Sequence, residues 1–263
     1  MSEPETQTDT APAADALAAA DDEARALDKA LQGRQPFHVV EAAFERFGPS
    51  LVVSFSGAED VLVVDLAVQV LGARAASELR VLTLDTGRLH PETLRYLEEV
   101  RQHYGIALQV QMPDGAATQA LVQRKGLFSF YVDGHKECCS VRKVAPLRRA
   151  LAGAPAWMTG QRRDQSPDTR AAVPFCELDR AFSGPQQPLF KFNPLANWKS
   201  AEVWRYLRGA GIPTNPLHQR GFISIGCEPC TRAVGPGEHE RAGRWWWEEA
   251  TQKECGLHRP DDA

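Results

Sequence analysis

The run Leu51-Val52-Val53-Ser54-Phe55 is apolar and breaks at a Ser/Gly turn, which predicts a short buried strand. Val61 to Leu71 has the apolar density of a buried helix. Leu79 to Leu84 predicts the next strand, ending at Asp85-Thr86-Gly87. Pro91 suits the first turn of a helix, where its missing N–H removes a donor that would have no partner. Leu94, Leu97, Val100 and Tyr104 follow it at helical spacing. Ala107 to Met112 predicts a third strand and Ala156 to Thr159 a fourth. Strands and helices alternating at these lengths predict an α/β fold: a parallel sheet with helices on both faces. Right-handed crossovers then put the strand C-termini on one edge, where ligands bind.

The ends read differently. Residues 1–14 are small, polar and acidic, which predicts a disordered tail. An Ala/Leu-rich helix is expected from about Ala16 to Leu31, with Asp15 as its N-cap. After Asp164 the pattern loosens. Ser200 is placed to cap a helix through Val203, Trp204 and Leu207, stopped by Gly209, Gly211 and Pro213. From Gly221 onward the chain is rich in Gly, Cys and Trp and reads as loops wrapped around a site. The expected division is a tail at 1–14, one α/β domain at 15–234 and a mobile C-terminal tail at 235–263.

Composition narrows the classes. The chain has 263 residues, 43% of them hydrophobic and 24% charged, enough for one domain with a large core. A net charge of −4 offers no basic field for nucleic acid or an anionic membrane. No apolar run approaches the length of a membrane span, and the acidic N-terminus lacks a secretory pattern, so a cytoplasmic location is expected. In such a reducing compartment, six cysteines favour metal binding or catalysis over disulfides.

Three segments are candidates for the ligand edge. Ser54, Ser56, Gly57 and Asp60 surround the turn after the first strand, where small residues and a helix N-terminus suit an anion. The GK[ST] ending of a Walker A loop is absent, and a plain strand–helix turn explains this segment about as well. Leu84, Asp85, Thr86 and Gly87 end the second strand, either facing a ligand or forming an Asx-type turn. After the fourth strand come Gly160, Arg162, Arg163 and Arg170, a candidate anion clamp or a solvated charged loop.

Cys138-Cys139 and Cys227-Glu228-Pro229-Cys230 form two tight pairs. Pro146 restricts Ala145, so an interrupted helix is expected just after the first pair. The two-residue spacing of the second pair is familiar from zinc and iron–sulfur sites, and Gly226 allows close approach there. Four thiolates suit either metal centre. Cys255, in Glu254-Cys255-Gly256-Leu257-His258, has no partner at ligand spacing and is a candidate reactive thiol beside Lys253, His258 and Arg259. Cys176 lies in an apolar stretch and reads as a buried structural thiol. Trp245-Trp246-Trp247 reads as a set of aromatic anchors for the tail or as a contact in a homo-oligomer.

Taken together, SFSGAED, LDTGRLHPET, KECCSVRK, GQRRDQSPDTR, GCEPCTR and ECGLH resemble the assimilatory adenylylsulfate reductases, the iron–sulfur branch of the phosphoadenylylsulfate reductase family. The resemblance spans Phe37 to His258 and implies a single Rossmann-like sheet of the adenine nucleotide alpha hydrolase-like kind. It implies reduction of adenosine 5′-phosphosulfate to sulfite and AMP, with thioredoxin as electron donor. By the same resemblance Cys255 attacks the substrate's sulfur to give an S-sulfocysteine, and Cys138, Cys139, Cys227 and Cys230 hold a 4Fe–4S cluster. Lys143, Arg170, Arg241, Arg244 and His135 are the candidates for neutralising charge on the phosphosulfate. Rivals are a reductase of the 3′-phosphorylated substrate, a dual-specificity reductase, a tRNA thiolase of the same superfamily, and a zinc-stabilised nucleotide sensor. The acidic charge and the ECGLH tail argue against the thiolase.

Overall fold

Six strands form one sheet in the order β3-β2-β1-β4-β6-β5, with β1 at Val52–Ser54, β2 at Arg80–Leu84, β3 at Leu108–Gln111, β4 at Ala156–Met158, β5 at Cys176–Leu178 and β6 at Phe190–Phe192. The structure is a computed structural model and describes residues 11–184 and 186–249. Among the described residues, no helix is long and apolar enough to cross a membrane.

All neighbouring pairs are parallel except β5–β6, which is antiparallel. The sheet is therefore mixed at one edge, a departure from the all-parallel expectation. The short β5–β6 connection explains it: a parallel return needs a crossover of a dozen or more residues. Asp179 N and Phe190 N bond to Leu189 O and Pro155 O as the chain turns back into the sheet.

Strand alternation divides the core. Val53, Val81 and Met158 point to one face, where they pack with the helices Ala11–Leu31, Pro36–Phe47 and Ala58–Leu71. Val52, Leu82 and Trp157 point to the other, against Leu147 and Leu151 of the helix Ala145–Leu151. Helices thus cover both faces of the central strands, which is why β1 and β4 read as unbroken apolar runs.

Three local expectations change. The first helix already includes Ala11–Leu31, so Asp15 lies inside it rather than capping it. The helix Ser200–Ala210 is capped one residue earlier than expected. Lys199 is extended, and its N–H donates to the Glu202 carboxylate at 2.8 Å, half of a capping box. Ala145 is helical despite Pro146, with φ −61° and ψ −46°. The expected interruption takes another form. Lys136–Cys139 continues into a π-helical turn at Ser140–Val144 and then into Ala145–Leu151. One wide turn absorbs the missing proline donor without ending the helix, and such turns are frequent at functional sites.

Beyond Gly221 the only regular structure among the described residues is a short 3₁₀ turn at Glu228–Cys230. Within the stretch 235–249, expected as the start of a tail, residues 243–245 are buried against the body, and the backbone N–H of Trp245 donates to Cys230 O at 3.1 Å.

Candidate active site

The C-terminal ends of β1, β2 and β4 open into one cleft of about 200 Å³. Its floor is the loop after β1. Asp60, on the first turn of the next helix, accepts from Ser56 N at 2.9 Å and Ser56 Oγ at 2.7 Å. Its other oxygen accepts from Gly160 N at 2.8 Å, which ties the β1 loop to the end of β4. Burial pushes the Asp60 carboxyl above its ordinary value, in spite of those bonds. Gly160 is required here, since a Cβ would stand 2.6 Å from Glu59 Cβ and 2.8 Å from Asp60 N.

Glu59 faces the buried Arg162. Arg162 Nη2 donates to Glu59 Oε1 at 2.8 Å and to both oxygens of Glu240 at 3.2 Å, while Nη1 reaches Asp164 at 3.3 Å. Burial opposes ionisation of Glu59, but the charge and hydrogen bonds of Arg162 outweigh it and hold the carboxyl below its ordinary value. Glu240 shifts the other way. Burial raises it, and sharing the guanidinium does not offset that cost.

The loop after β2 serves two purposes. Asp85 Oδ1 accepts from Gly87 N at 2.8 Å, an Asx turn with Gly87 at φ +69°. Thr86 turns inward, with its hydroxyl 3.2 Å from Cys227 Sγ. Arg142 Nη1 donates to Thr86 O at 2.8 Å.

Cys138, Cys139, Cys227 and Cys230 line a second, smaller cavity with Arg88, Phe130, His135, Arg142 and Lys143. The π-helical turn points Arg142 and Lys143 inward, and both are buried. Arg244 lies against Gly226, where a Cβ would sit 2.4 Å from its guanidinium, so only glycine permits the approach. Burial would raise the Cys227 thiol, but Lys143, the Thr86 hydroxyl and Arg244 together lower it. Burial and the neighbouring Cys227 push Cys230 up to about 12. Cys138 is raised, chiefly by burial.

As to a resident metal, the chemistry of the donor set is the test. Four thiols on one cavity, with arginine and lysine around them, fit a thiolate-bound cluster. Among the described residues, no group of three or more His, Cys, Asp or Glu side chains is arranged to hold a single metal ion.

Of the candidate site residues, Ser54, Ser56, Gly57, Asp60, Leu84, Thr86, Lys143, Gly160, Arg170, Arg241 and Arg244 line the cleft. Asp85 and Gly87 do not; they shape the turn that presents Thr86. Arg162, expected in an anion clamp or a solvated loop, does not line the cleft; three carboxylates occupy its fork and the side chain is fully buried. Arg163 is engaged by Val173 O and Asn197. His135 lines the cysteine cavity rather than the cleft. Cys255 lies outside the described residues. Cys176 is buried in β5, and burial drives its thiol well above the ordinary range.

The cleft also contains residues not expected from the sequence, among them Glu59, Gln161, Trp204, His218 and Glu240. One signal was available for Glu59. An acid next to Asp60 in a loop meant for anions calls for a cation partner, and Arg162 stands in the next loop along the sheet edge.

The chain matches the phosphoadenosine phosphosulfate reductase domain over residues 50–233. It is 58% identical over 233 residues to an adenosine 5′-phosphosulfate reductase of Pseudomonas aeruginosa strain LESB58, covering 89% of this chain and 85% of that one. It is 52% identical over 237 residues to a probable chloroplastic 5′-adenylylsulfate reductase 1 of Oryza sativa subsp. japonica, covering 89% of this chain and 49% of the plant protein. The crystal structure of a phosphoadenylyl-sulfate reductase from Candida auris has the same fold, with a TM-score of 0.64 at 23% identity, covering 89% of this chain and 100% of that one. A matched domain spanning more than half the chain and a relative at this identity establish that the chain belongs to the phosphoadenosine phosphosulfate reductase family, alongside its adenylylsulfate reductases.

Proposed function

We propose that the chain reduces adenosine 5′-phosphosulfate to sulfite and AMP, in sulfate assimilation toward cysteine, with thioredoxin supplying the electrons. The observation that carries this reading is a shared wall. Lys143 and Cys227 line both the cleft and the cysteine cavity, so a ligand whose anionic end pointed toward that wall would lie against the cysteine centre. Arg241 and Arg244 line the same cleft and supply further positive charge for a sulfonyl group and a leaving phosphate.

In this reading the Cys255 thiolate attacks the sulfur of the substrate. The S–O bond to the phosphate breaks, and AMP leaves with the electron pair. The protein then carries Cys255 as an S-sulfocysteine. A thiol of thioredoxin attacks the Cys255 sulfur and expels sulfite. The second thiol resolves the mixed disulfide and restores Cys255. Two electrons pass from the dithiol to sulfur, and the dithiol ends as a disulfide. Reduced thiols of this kind suit a cytoplasmic location.

Cys138, Cys139, Cys227 and Cys230 would hold a 4Fe–4S cluster. When bound, it would supply a fixed charge distribution beside the phosphosulfate and a brace for the loops around it. Lys143, between the two cavities, holds positive charge toward both. A brown protein with broad visible absorbance supports the cluster; a colourless protein that contains zinc would refute it.

The test is to incubate the reduced, full-length protein with adenosine 5′-phosphosulfate, or with its 3′-phosphorylated form, and to measure intact mass. A sulfonate adduct is expected with the first, absent in Cys255→Ser and retained in Cys176→Ser. An adduct with the 3′-phosphorylated form alone would overturn the substrate assignment, and no adduct with either would overturn the reaction.

A further inference from the structure

Among the described residues, four buried side-chain atoms on residues that line the cleft have no hydrogen-bond partner. Two are donors, Arg244 Nε and Trp245 Nε1. They stand together near the cysteines: the Arg244 guanidinium lies 4.5 Å from the centre of the Trp245 ring and against Gly226, the neighbour of Cys227. The other two are Gln161 Oε1 and His218 Nε2. His218 Nδ1 lies 2.8 Å from Phe222 O, and a carbonyl only accepts, so Nδ1 carries the proton. Burial holds the imidazole below its ordinary value, which leaves Nε2 with a lone pair near neutral pH. Both atoms are therefore acceptors without a donor.

The proposed substrate divides in the same way. At neutral pH the phosphosulfate of adenosine 5′-phosphosulfate carries acceptors only. Its hydrogen-bond donors are the adenine amino group and the ribose hydroxyls, all on the nucleoside. A ligand whose anion met the unpartnered donors would keep its own donors for the acceptors elsewhere on the wall.

Gln161 is the more constrained of the two acceptors, being only 4% exposed. Its backbone N–H donates to Thr159 Oγ1 at 3.3 Å, and the Thr159 hydroxyl donates on to Asn193 at 2.7 Å. On one side, Gly160 N is held by Asp60 at 2.8 Å; on the other, Arg162 N donates to Gln165 Oε1 at 3.1 Å. The main chain around Gln161 is therefore pinned on both sides. A buried oxygen without a donor is a standing cost to the fold, and a donor on a ligand removes it. The same strand end supplies a seat for a base. Trp157, four residues before Gln161, lines the cleft with Leu82, Leu84 and Leu147, an apolar wall that suits a planar ring.

We propose that Gln161 is a specificity-determining residue for the nucleoside, its amide oxygen accepting a hydrogen bond from the adenine amino group or from a ribose hydroxyl. The inference rests on the adenosine nucleotide of the reaction proposed above. It involves neither the reactive thiol nor the cysteine centre.

The experiment titrates the full-length, cofactor-loaded protein by calorimetry with AMP and with analogues that each lack one donor: purine riboside 5′-monophosphate, 2′-deoxy-AMP and 3′-deoxy-AMP. The variant is Gln161→Met, close in length and volume but without the amide. Gln161→Met is expected to weaken AMP binding about tenfold, the effect of one hydrogen bond to a buried group. One analogue should bind the wild-type protein more weakly than AMP by about the same factor, and wild type and variant should bind that analogue within about twofold of each other. That analogue identifies the donor. Without ligand, the melting temperature of Gln161→Met should match or exceed that of wild type, because an oxygen with no partner has been removed. An unchanged AMP affinity in Gln161→Met overturns the proposal. So does a loss by the same factor for AMP and for every analogue, since the oxygen would then meet none of the nucleoside's donors. A variant that melts well below wild type without ligand overturns it too, by marking the amide as structural. Wild-type protein that binds neither AMP nor adenosine 5′-phosphosulfate would instead bring down the nucleotide reading of the cleft, and this inference with it.

Discussion

At the strand ends, the turns that shape the cleft close on near neighbours, and one longer bond, Gly160 N to Asp60, joins two of them. Ser56 bonds to Asp60, four positions on, and Asp85 to Gly87, two positions on. The cysteine cavity is assembled the other way. Thr86 meets Cys227 across 141 positions, and His135 meets Glu248 across 113. The first region starts from a sheet edge and the local turn chemistry that any strand–helix junction offers, and the Asp60–Gly160 and Glu59–Arg162 bonds then join neighbouring strand ends. The second exists only once the loops after Gly221 have folded back over β2 and the Cys138–Cys139 helix. In the proposed reading the contrast separates two tasks: the edge would hold the nucleotide, and the folded-back loops would hold the cysteine centre.

The strongest way to break that contrast is Cys227→Ser. Cys227 lies on both cavities and is bonded to Thr86. With the proposed cluster in place, the expected result is loss of iron and a fall in turnover on the order of 100-fold. AMP binding should change by less than about threefold, because the Ser56–Asp60–Gly160 bonds do not involve the cysteine. Titrating AMP by calorimetry against iron content decides it. If AMP binding disappears with the iron, the two regions form one cooperative unit and the division is wrong.

Arg162→Ala tests the link between the regions, because Arg162 joins Glu59 in the β1 loop to Glu240 in the C-terminal segment. Removing one partner leaves buried carboxylates without compensation, at a cost of about 3–5 kcal/mol. For a chain of this size that is roughly a 10 °C fall in melting temperature. The pH dependence follows from the two shifts. Glu59 titrates below its ordinary 4.5 in the folded protein, so its pairing with Arg162 stabilises the fold above that pH. That contribution is lost as pH falls through the folded value. Glu240 titrates above its ordinary value, so its contribution is present at low pH and is lost as pH rises through the folded value. Without Arg162 only the second kind of dependence remains, because burial then raises both carboxyls. The stability gap between wild type and variant should therefore narrow as pH falls from 6 toward about 3.5 in urea unfolding curves. A gap independent of pH would mean that Arg162 stabilises by packing alone.

The same contrast explains what the sequence revealed. Strands β1, β2 and β4 were legible because they are buried on both faces and read as apolar runs between turn residues. The cysteine pairs were legible because thiols at such spacing have few other uses. Arg162 reads locally as part of an anion clamp or of a solvated charged loop, since nothing local shows that Glu59 and Glu240 converge on it from 103 and 78 positions away. The stretch around Cys176 reads as strand-like, but its antiparallel direction is not legible, because β5 is only three residues long and its direction depends on the connection that follows. The π-helical turn was missed because Pro146 predicts a break, and a break and a widened turn satisfy the same lost donor.

Cys176→Ala is expected to have the smallest effect, and it separates the two kinds of thiol in the chain. Cys176 sits in the antiparallel edge strand beneath the first helix, where Asp28 Oδ1 accepts from Phe175 N at 2.7 Å and from Cys176 N at 3.4 Å. These bonds are to backbone, so they survive replacement of the side chain. Burial keeps the thiol protonated, and neither the cleft nor the cysteine cavity reaches it. Replacement by Ala removes one buried sulfur, at a cost of about 1 kcal/mol. Adduct formation and turnover should match wild type within error, while thermal unfolding shifts down by a few degrees. A drop in adduct formation would mean that the edge strand communicates with the strand-end loops. The separation between a scaffold that any α/β sheet supplies and a cysteine centre specific to this chain would then have to be redrawn at β6, which pairs with β5 on one side and β4 on the other.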